Sequence, residues 1–325
     1  MKRNIAFIIL FITIHSSCYS QQNPNWSSFY ENGFIWNPAL TAKHNSWELS
    51  LTQHQQWAGF DDAPRYSTVA FQMPFINRRG HNRASIGVFL ESDKVGPYSI
   101  LGAAITYSYK FELNLLGNKN DALSIGVLAK GQSQKYDVTT LTSFDGTASG
   151  FDVQDSPHKL APKIGIGMFY ISKSDVYNTY ENYFYFGISA GQFINNNFSF
   201  NNNDALESNT SASANFGFRR YLAKSDYFIE PGVLLVYSKD NSVNTMVNVK
   251  IEHQLKYWVA MGAVTNGEVF MQTGLILDED SFLSSMLNSG KIRLGVKASY
   301  QLSSSSRLGP LGYEFYLAYV YELDK

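Results

Sequence analysis

The sequence predicts an all-β protein: a transmembrane antiparallel β-barrel of about 14 strands, with an N-terminal periplasmic or plug segment. Three observations predict it. Runs of strict two-residue alternation last about ten to thirteen residues, where ordinary strands average about five or six and a tilted spanning strand needs about nine to eleven. In these runs one face is apolar and the other carries Gly, Ser, Asn and charge, the lipid-out, lumen-in pattern of a membrane barrel. Beyond the first twenty residues no stretch of ~18 consecutive apolar residues occurs, so no helix is long and apolar enough to cross a bilayer.

Composition agrees. Of 325 residues, 15% are aromatic, with 21 Tyr and 23 Phe, and only 16% are charged. Roughly a quarter charged is usual for soluble domains. The net charge of −1 lacks the clustered basic excess that a nucleic-acid surface requires.

Residues 1–20 read as a secretory signal. Lys2 and Arg3 are basic, Ile5 to Ile14 form a short apolar core, and Cys18 and Ser20 are small, so cleavage is expected before Gln21. A competing reading makes Cys18 the acylated residue of a lipoprotein, although His15 replaces the apolar residue usual three positions before such a cysteine. Cys18 is the chain's only cysteine, so no intrachain disulfide forms.

Residues 21–46 form an arm in which Asn23-Pro24, Asn37-Pro38 and Gly33 argue against a long regular element. The arm is expected either in the periplasm or inside the lumen as a plug. Residues 47–325 make the barrel, with runs near 47–57, 65–75, 83–93, 99–113, 121–135, 161–172, 182–193, 211–222, 226–238, 243–253, 256–265, 267–278, 290–302 and 312–323. In the fourth run Leu101, Ala103, Ile105, Tyr107, Tyr109 and Phe111 share one face, against Gly102, Ala104, Thr106, Ser108 and Lys110. The run from Lys291 sets Ile292, Leu294, Val296, Ala298 and Tyr300 against Arg293, Gly295, Lys297, Ser299 and Gln301. An outer aromatic girdle is expected at Tyr107 with Tyr109, Tyr183 with Tyr185, and Tyr319 with Tyr321.

Between the first two runs stands Trp57-Ala58-Gly59-Phe60-Asp61-Asp62-Ala63-Pro64. Gly59 permits positive φ, the Asp side chains bond nearby backbone groups, and Pro64 fixes φ on exit, so a tight hairpin loop is expected. Thr265-Asn266-Gly267 predicts a second tight hairpin. Longer connections lie at 136–160, 194–210 and 279–289, and the Asn-rich 195–203 reads as a solvated loop. With the chain starting in the periplasm, alternation puts 58–64, 136–160 and 194–210 outside.

No enzyme is expected, and no catalytic, cofactor or metal residue. Asp145-Gly146 and Asp152 to Asp155 do not match an EF-hand. His44, His54, His81, His158 and His253 are scattered, and no serine lies in a G-x-S-x-G elbow. Arg79, Arg83, Lys110, Lys130, Arg293 and Lys297 are candidates for a charged channel lining.

The loop motif, Trp57, Gly59, Phe60, Asp61, Ala63 and Pro64, resembles the PorP/SprF family of outer-membrane proteins. Asn37-Pro38-Ala39 resembles the family's N-P-A ahead of the first strand, and Gly96-Pro97-Tyr98 its second strong motif. Leu123 to Val127, Ala161 to Gly167, and Glu230-Pro231-Gly232 fit its later strands. The resemblance implies an outer-membrane component of type IX secretion and gliding motility in Bacteroidetes. Its implied partners are outer-membrane lipid, a periplasmic secretion-system or peptidoglycan-binding protein, and a large secreted adhesin. The motif residues are implied to structure a loop or to contact a partner. A passive outer-membrane channel for small solutes is the alternative, and a soluble secreted β-sandwich adhesin a third reading.

Overall fold

The computed structural model describes residues 31–43, 46–76, 82–113, 121–136, 158–173, 182–191, 197–200, 204–207, 211–222, 226–238, 243–253, 256–278, 290–302 and 311–323. The leader, with its cleavage and acylation readings, lies outside them, as do Arg79, His44, His81 and the acidic stretches at 145–146 and 152–155.

The long alternating runs all become strands: β1 Ser46–Gln55, β2 Arg65–Ile76, β3 Asn82–Val95, β4 Tyr98–Leu113, β5 Asp121–Tyr136, β6 His158–Ile171 and β7 Tyr183–Gly191. Two short strands follow, β8 Asn197–Phe200 and β9 Asp204–Glu207. The second half holds β10 Ser211–Leu222, β11 Tyr227–Ser238, β12 Val243–His253, β13 Tyr257–Val264, β14 Glu268–Leu277, β15 Gly290–Gln301 and β16 Leu311–Glu322. All but β8 and β9 form one closed antiparallel barrel of 14 strands. β16 closes it against β1, from Ser46 opposite Glu322 to Gln55 opposite Tyr313. Closure pairs both edges of the sheet, which a bilayer core requires because no water is there to satisfy an open edge. The β-sandwich reading is thereby excluded.

β8 and β9 pair only with each other. They correct the expectation of a plain solvated loop at 195–203. The Asn-rich sequence hid a local alternation too short to weigh against its composition.

The predicted faces hold. Leu101, Ile105, Tyr107 and Phe111 are exposed on β4, while Ala104, Thr106 and Ser108 are buried. A continuous belt of exposed Leu, Ile, Val, Phe and Tyr surrounds the outside, including Leu49, Val88, Ile125, Ile166, Val247, Met271 and Leu317. In lipid such a belt faces solvent of its own polarity. One girdle expectation fails. Tyr183 and Tyr185 are buried toward the lumen, and Phe184 and Phe186 face outward. Register decides this, because Phe186 stands opposite Tyr170 on β6 and Phe216 on β10, whose outward faces it continues.

Both β1 and β16 have their terminal ends at one rim, called here the terminal end. The opposite rim, the loop end, carries 56–64, the 96–97 turn and the 265–267 turn. There Gly267 has φ 88°, its N–H donates to Val264 O at 2.9 Å, and Asn266 Oδ1 accepts from Glu268 N at 2.9 Å, as the tight-hairpin signal predicts.

Inward charges neutralise one another. Lys297 Nζ lies 3.1 Å from Glu268 and 3.9 Å from Glu314, which also meets His54 Nδ1 at 3.2 Å. Glu91 pairs with Lys130 and accepts from Gln132 at 2.9 Å and Tyr66 at 3.0 Å. Removing one partner of such a buried pair strands the other, at about 3–5 kcal/mol. Lys297→Met is therefore expected to lower stability by about that amount. Reversible urea unfolding in detergent or lipid checks it, and an unchanged midpoint would refute it.

Candidate functional site

The candidate site is the interior crossing made by residues 31–43. Of the two predicted places for the arm, these residues occupy the lumen. Two 3-10 turns shape the crossing, Gly33–Ile35 and Pro38–Leu40. Asn37 precedes the second with extended backbone, and its Oδ1 accepts from Ala39 N at 3.0 Å. Pro38 suits the first position of a turn, where its missing N–H costs nothing.

Asn37 also donates outward. Its Nδ2 reaches Met168 O on β6 at 3.1 Å and Ile188 O on β7 at 3.3 Å. These carbonyls belong to residues paired across the two strands. An amide side chain alone combines the acceptor and two donors this position uses. The approach requires glycine beneath it. A Cβ on Gly167 would overlap Asn37 Oδ1, and one on Gly126 of β5 would overlap the backbone of Pro38 and Ala39.

Other backbone groups of the segment are met by its own turns and by the polar lumen wall. Ser189 Oγ donates to Trp36 O at 2.9 Å, and Gln72 Oε1 accepts from Ala42 N at 2.7 Å. Thr41 bonds Pro38 O at 2.7 Å and Thr106 at 2.9 Å. Thus the Ser, Thr and Gln positions on the inward faces satisfy a chain that has no ladder of its own.

Apolar side chains fix it on several sides. Phe34 is almost fully buried against Ala70, Phe89 and Ala104, with its ring edge-on to Phe89 at 5.9 Å. Ala39 joins Ala122, Phe169, Ile171, Tyr183 and Tyr185. Trp36 packs on Leu234, Met246, Val264 and Phe270 of β11 to β14. Burying one side chain such as Phe34 contributes about 1.5–3 kcal/mol.

Ion pairs tie the first described residue to the far wall. Glu31 meets Arg293 at 3.0 Å and Lys250 at 3.6 Å. Lys250 also meets Glu252 at 3.1 Å, which pairs with Arg219 at 3.2 Å. Asn32 completes the attachment, donating to Thr52 at 2.8 Å and accepting from Ser50 at 2.9 Å on β1. Lys43, at the other end of the segment, stands over Phe169, Tyr183 and Tyr185 at 5.2–5.6 Å. Burial lowers its amine to about 8, opposed by the Glu230 charge. Between segment and wall a cavity of about 80 Å³ remains, lined in part by Lys43, Gln72, Asn215 and Arg293. That volume holds about two or three waters.

The sequence candidates divide in two. Asn37 and Pro38 lie in this crossing. Trp57, Gly59, Phe60, Asp61, Ala63 and Pro64 form the loop-end turn after β1, with Gly96, Pro97 and Tyr98 beside it. Gly96 N donates to Asp62 O at 3.1 Å. Of the proposed channel-lining cations, Lys130, Arg293 and Lys297 are all ion-paired. Arg83 is exposed, 3.9 Å from Glu112. Sequence reasoning missed Glu31, Lys43, Arg219 and Glu252. Inward parity of a charged residue on β10 and β12 was the available signal for two of them.

The model of a family described as type IX secretion system membrane protein PorP/SprF matches residues 18–319. No curated protein matches the chain. Among solved structures it is similar to the CymD monoaromatic hydrocarbon channel, at 9% identity and TM-score 0.53, covering 90% of this chain and 93% of that one. It is also similar to the Pseudomonas putida toluene transporter TodX, at 10% identity, 94% of each chain and TM-score 0.49. At these identities the likeness to CymD is one of fold.

Proposed function

We propose, since this chain belongs to the PorP/SprF family of type IX secretion system membrane proteins, that it acts in the outer membrane as a closed, non-enzymatic component of that machinery. In this reading residues 1–20 are removed on export. The loop end faces outward and supports the export or surface attachment of a large adhesin, of the kind used in gliding by Bacteroidetes. The terminal end faces a periplasmic secretion-system or peptidoglycan-binding protein. The observation that carries this reading is the crossing of residues 31–43. A lumen bridged from β1 and β15 to β6 and β7 serves a docking component better than a conduit.

The test is purification of the tagged protein from its own outer membrane in mild detergent, with cross-linking and identification of what accompanies it. Secretion-ring components or a large adhesin are expected. A barrel that repeatedly comes alone sinks the proposal. The alternative is a passive channel for small solutes, favoured by the fold shared with a protein described as a hydrocarbon channel. It predicts steady conductance in a planar bilayer without any partner. The closed reading predicts conductance near baseline.

A further inference from the structure

The loop after β1 holds its largest residue in an unfavourable conformation and still leaves it exposed. Trp57 has φ 52° and Asp62 φ 57°. A bulky residue in this region costs of order 1–3 kcal/mol and persists only where its surroundings enforce it. Here they do. Ala58 N donates to Leu311 O of β16 at 2.7 Å, Gln56 N to Pro64 O at 3.0 Å, and Gly96 N to Asp62 O at 3.1 Å. Yet the Trp57 side chain is 47% exposed and Phe60 44%. The loop therefore presents two rings on a pinned backbone.

Their height on the barrel identifies what they meet. Trp47 opens the outward face of β1 and packs on Tyr321 at 6.0 Å, within a dense terminal-end girdle. That girdle includes the Tyr109–Phe111 pair at 4.8 Å and the Tyr170–Phe184 pair at 5.7 Å. Trp57 follows Trp47 by ten residues. β1 ends at Gln55, eight residues on from Trp47, and at about 3.3 Å per residue and a tilt of about 40° those residues climb about 20 Å, which puts the turn that carries Trp57 near the edge of an apolar band about 25 Å tall. Exposed Tyr237 and Tyr300 lie near the loop ends of β11 and β15. The Tyr313–Phe315 pair of β16, 5.5 Å apart, stands at the loop end opposite Gln55 and Gln53 of β1, and among the described residues the girdle is otherwise sparse on the side of β1 to β3, where Trp57 and Phe60 stand. Just below them Ser67 Oγ donates to Gln53 Oε1 at 2.6 Å, so these outward polar groups satisfy each other.

We propose that loop 56–64 is a membrane-interface anchor, its Trp57 and Phe60 rings seated in the lipid headgroup layer at the loop end. Tryptophan suits that layer because its ring is apolar and its N–H finds a polar partner. The anchor sits on the β16–β1 closure, so it holds that seam at a set depth. This rests on the barrel and not on the secretion role, so each fails separately.

The test uses the whole protein in nanodiscs of phosphatidylcholine, with or without bromine high on the acyl chains. The emission of wild type minus W57F isolates the indole. It is expected to lose most of its intensity in brominated lipid and little to aqueous iodide. Difference emission quenched by iodide and indifferent to brominated lipid overturns the proposal and makes the loop a water-exposed surface for a protein partner. Heat-dependent gel mobility shows that W57F is folded. Should it fail to fold, F60W in the otherwise intact chain supplies the difference signal and is read the same way.

Discussion

Gly167→Leu is expected to expel the interior segment while the barrel stays folded. The added Cβ overlaps Asn37 Oδ1, and the rest of the side chain has nowhere to go but into the seat. Overpacking of this kind costs about 1–3 kcal/mol. Displacing Asn37 also forfeits its bonds to Met168 and Ile188. Each such bond contributes about 0.5–1.5 kcal/mol net. The sum, about 2–6 kcal/mol, falls on the segment, because β6 keeps its ladders to β5 and β7. Ala39→Cys, in a chain whose native cysteine is replaced, reports the result. Ala39 is buried, so a polar maleimide should label the introduced thiol slowly in the parent and fast after Gly167→Leu. Gly131→Leu is the control, since a Cβ there meets nothing within 4 Å. Equal labelling of all three proteins would sink the seat. Planar-bilayer conductance should rise with Gly167→Leu alone.

The second large effect is expected from Glu31→Gln. Lys250 keeps Glu252, but Arg293 loses the carboxylate that holds it at 3.0 Å. Arg293 is about a quarter exposed, so the charge-assisted bond it loses contributes about 1.5–3 kcal/mol, less than a fully buried pair. Since each ~1.4 kcal/mol is tenfold, labelling of the same Ala39→Cys reporter should speed up roughly ten- to a hundredfold. Adding Arg293→Met removes the stranded charge and should restore much of the protection. If the double variant labels as fast as Glu31→Gln, the two residues are not coupled and the ion pair does not hold the segment. The two predictions probe opposite walls of the lumen. Together they separate a segment clamped to both walls from one resting on a single side.

The alternating pattern was enough to set the number of spanning strands, their lengths and most of their faces. Those properties are local: a period of two with contrasting faces, sustained long enough to cross a bilayer, needs no knowledge of neighbours. Leu101 to Phe111 and Ile292 to Tyr300 were legible for this reason. Where contrast was absent, the pattern was mute. Tyr183-Phe184-Tyr185-Phe186 is aromatic on both faces, and only pairing with β6 and β10 turned the tyrosines inward. The motif loop was legible as a tight turn, and Gly59 takes the positive φ of 97° expected of it. The left-handed Trp57 was not legible, because contacts with β16 and the 96–97 turn impose it. Barrel closure, and nothing local, put residues 31–43 in the lumen. Asn37 meets carbonyls 131 and 151 positions away, and Glu31 reaches Arg293 262 positions away. Such contacts leave no mark in a local pattern, since what they require of the wall is an absent side chain at Gly167 or one opposite charge at Arg293. They exist only once the sheet closes and brings distant strands within a hydrogen bond of the same thirteen residues, 31–43.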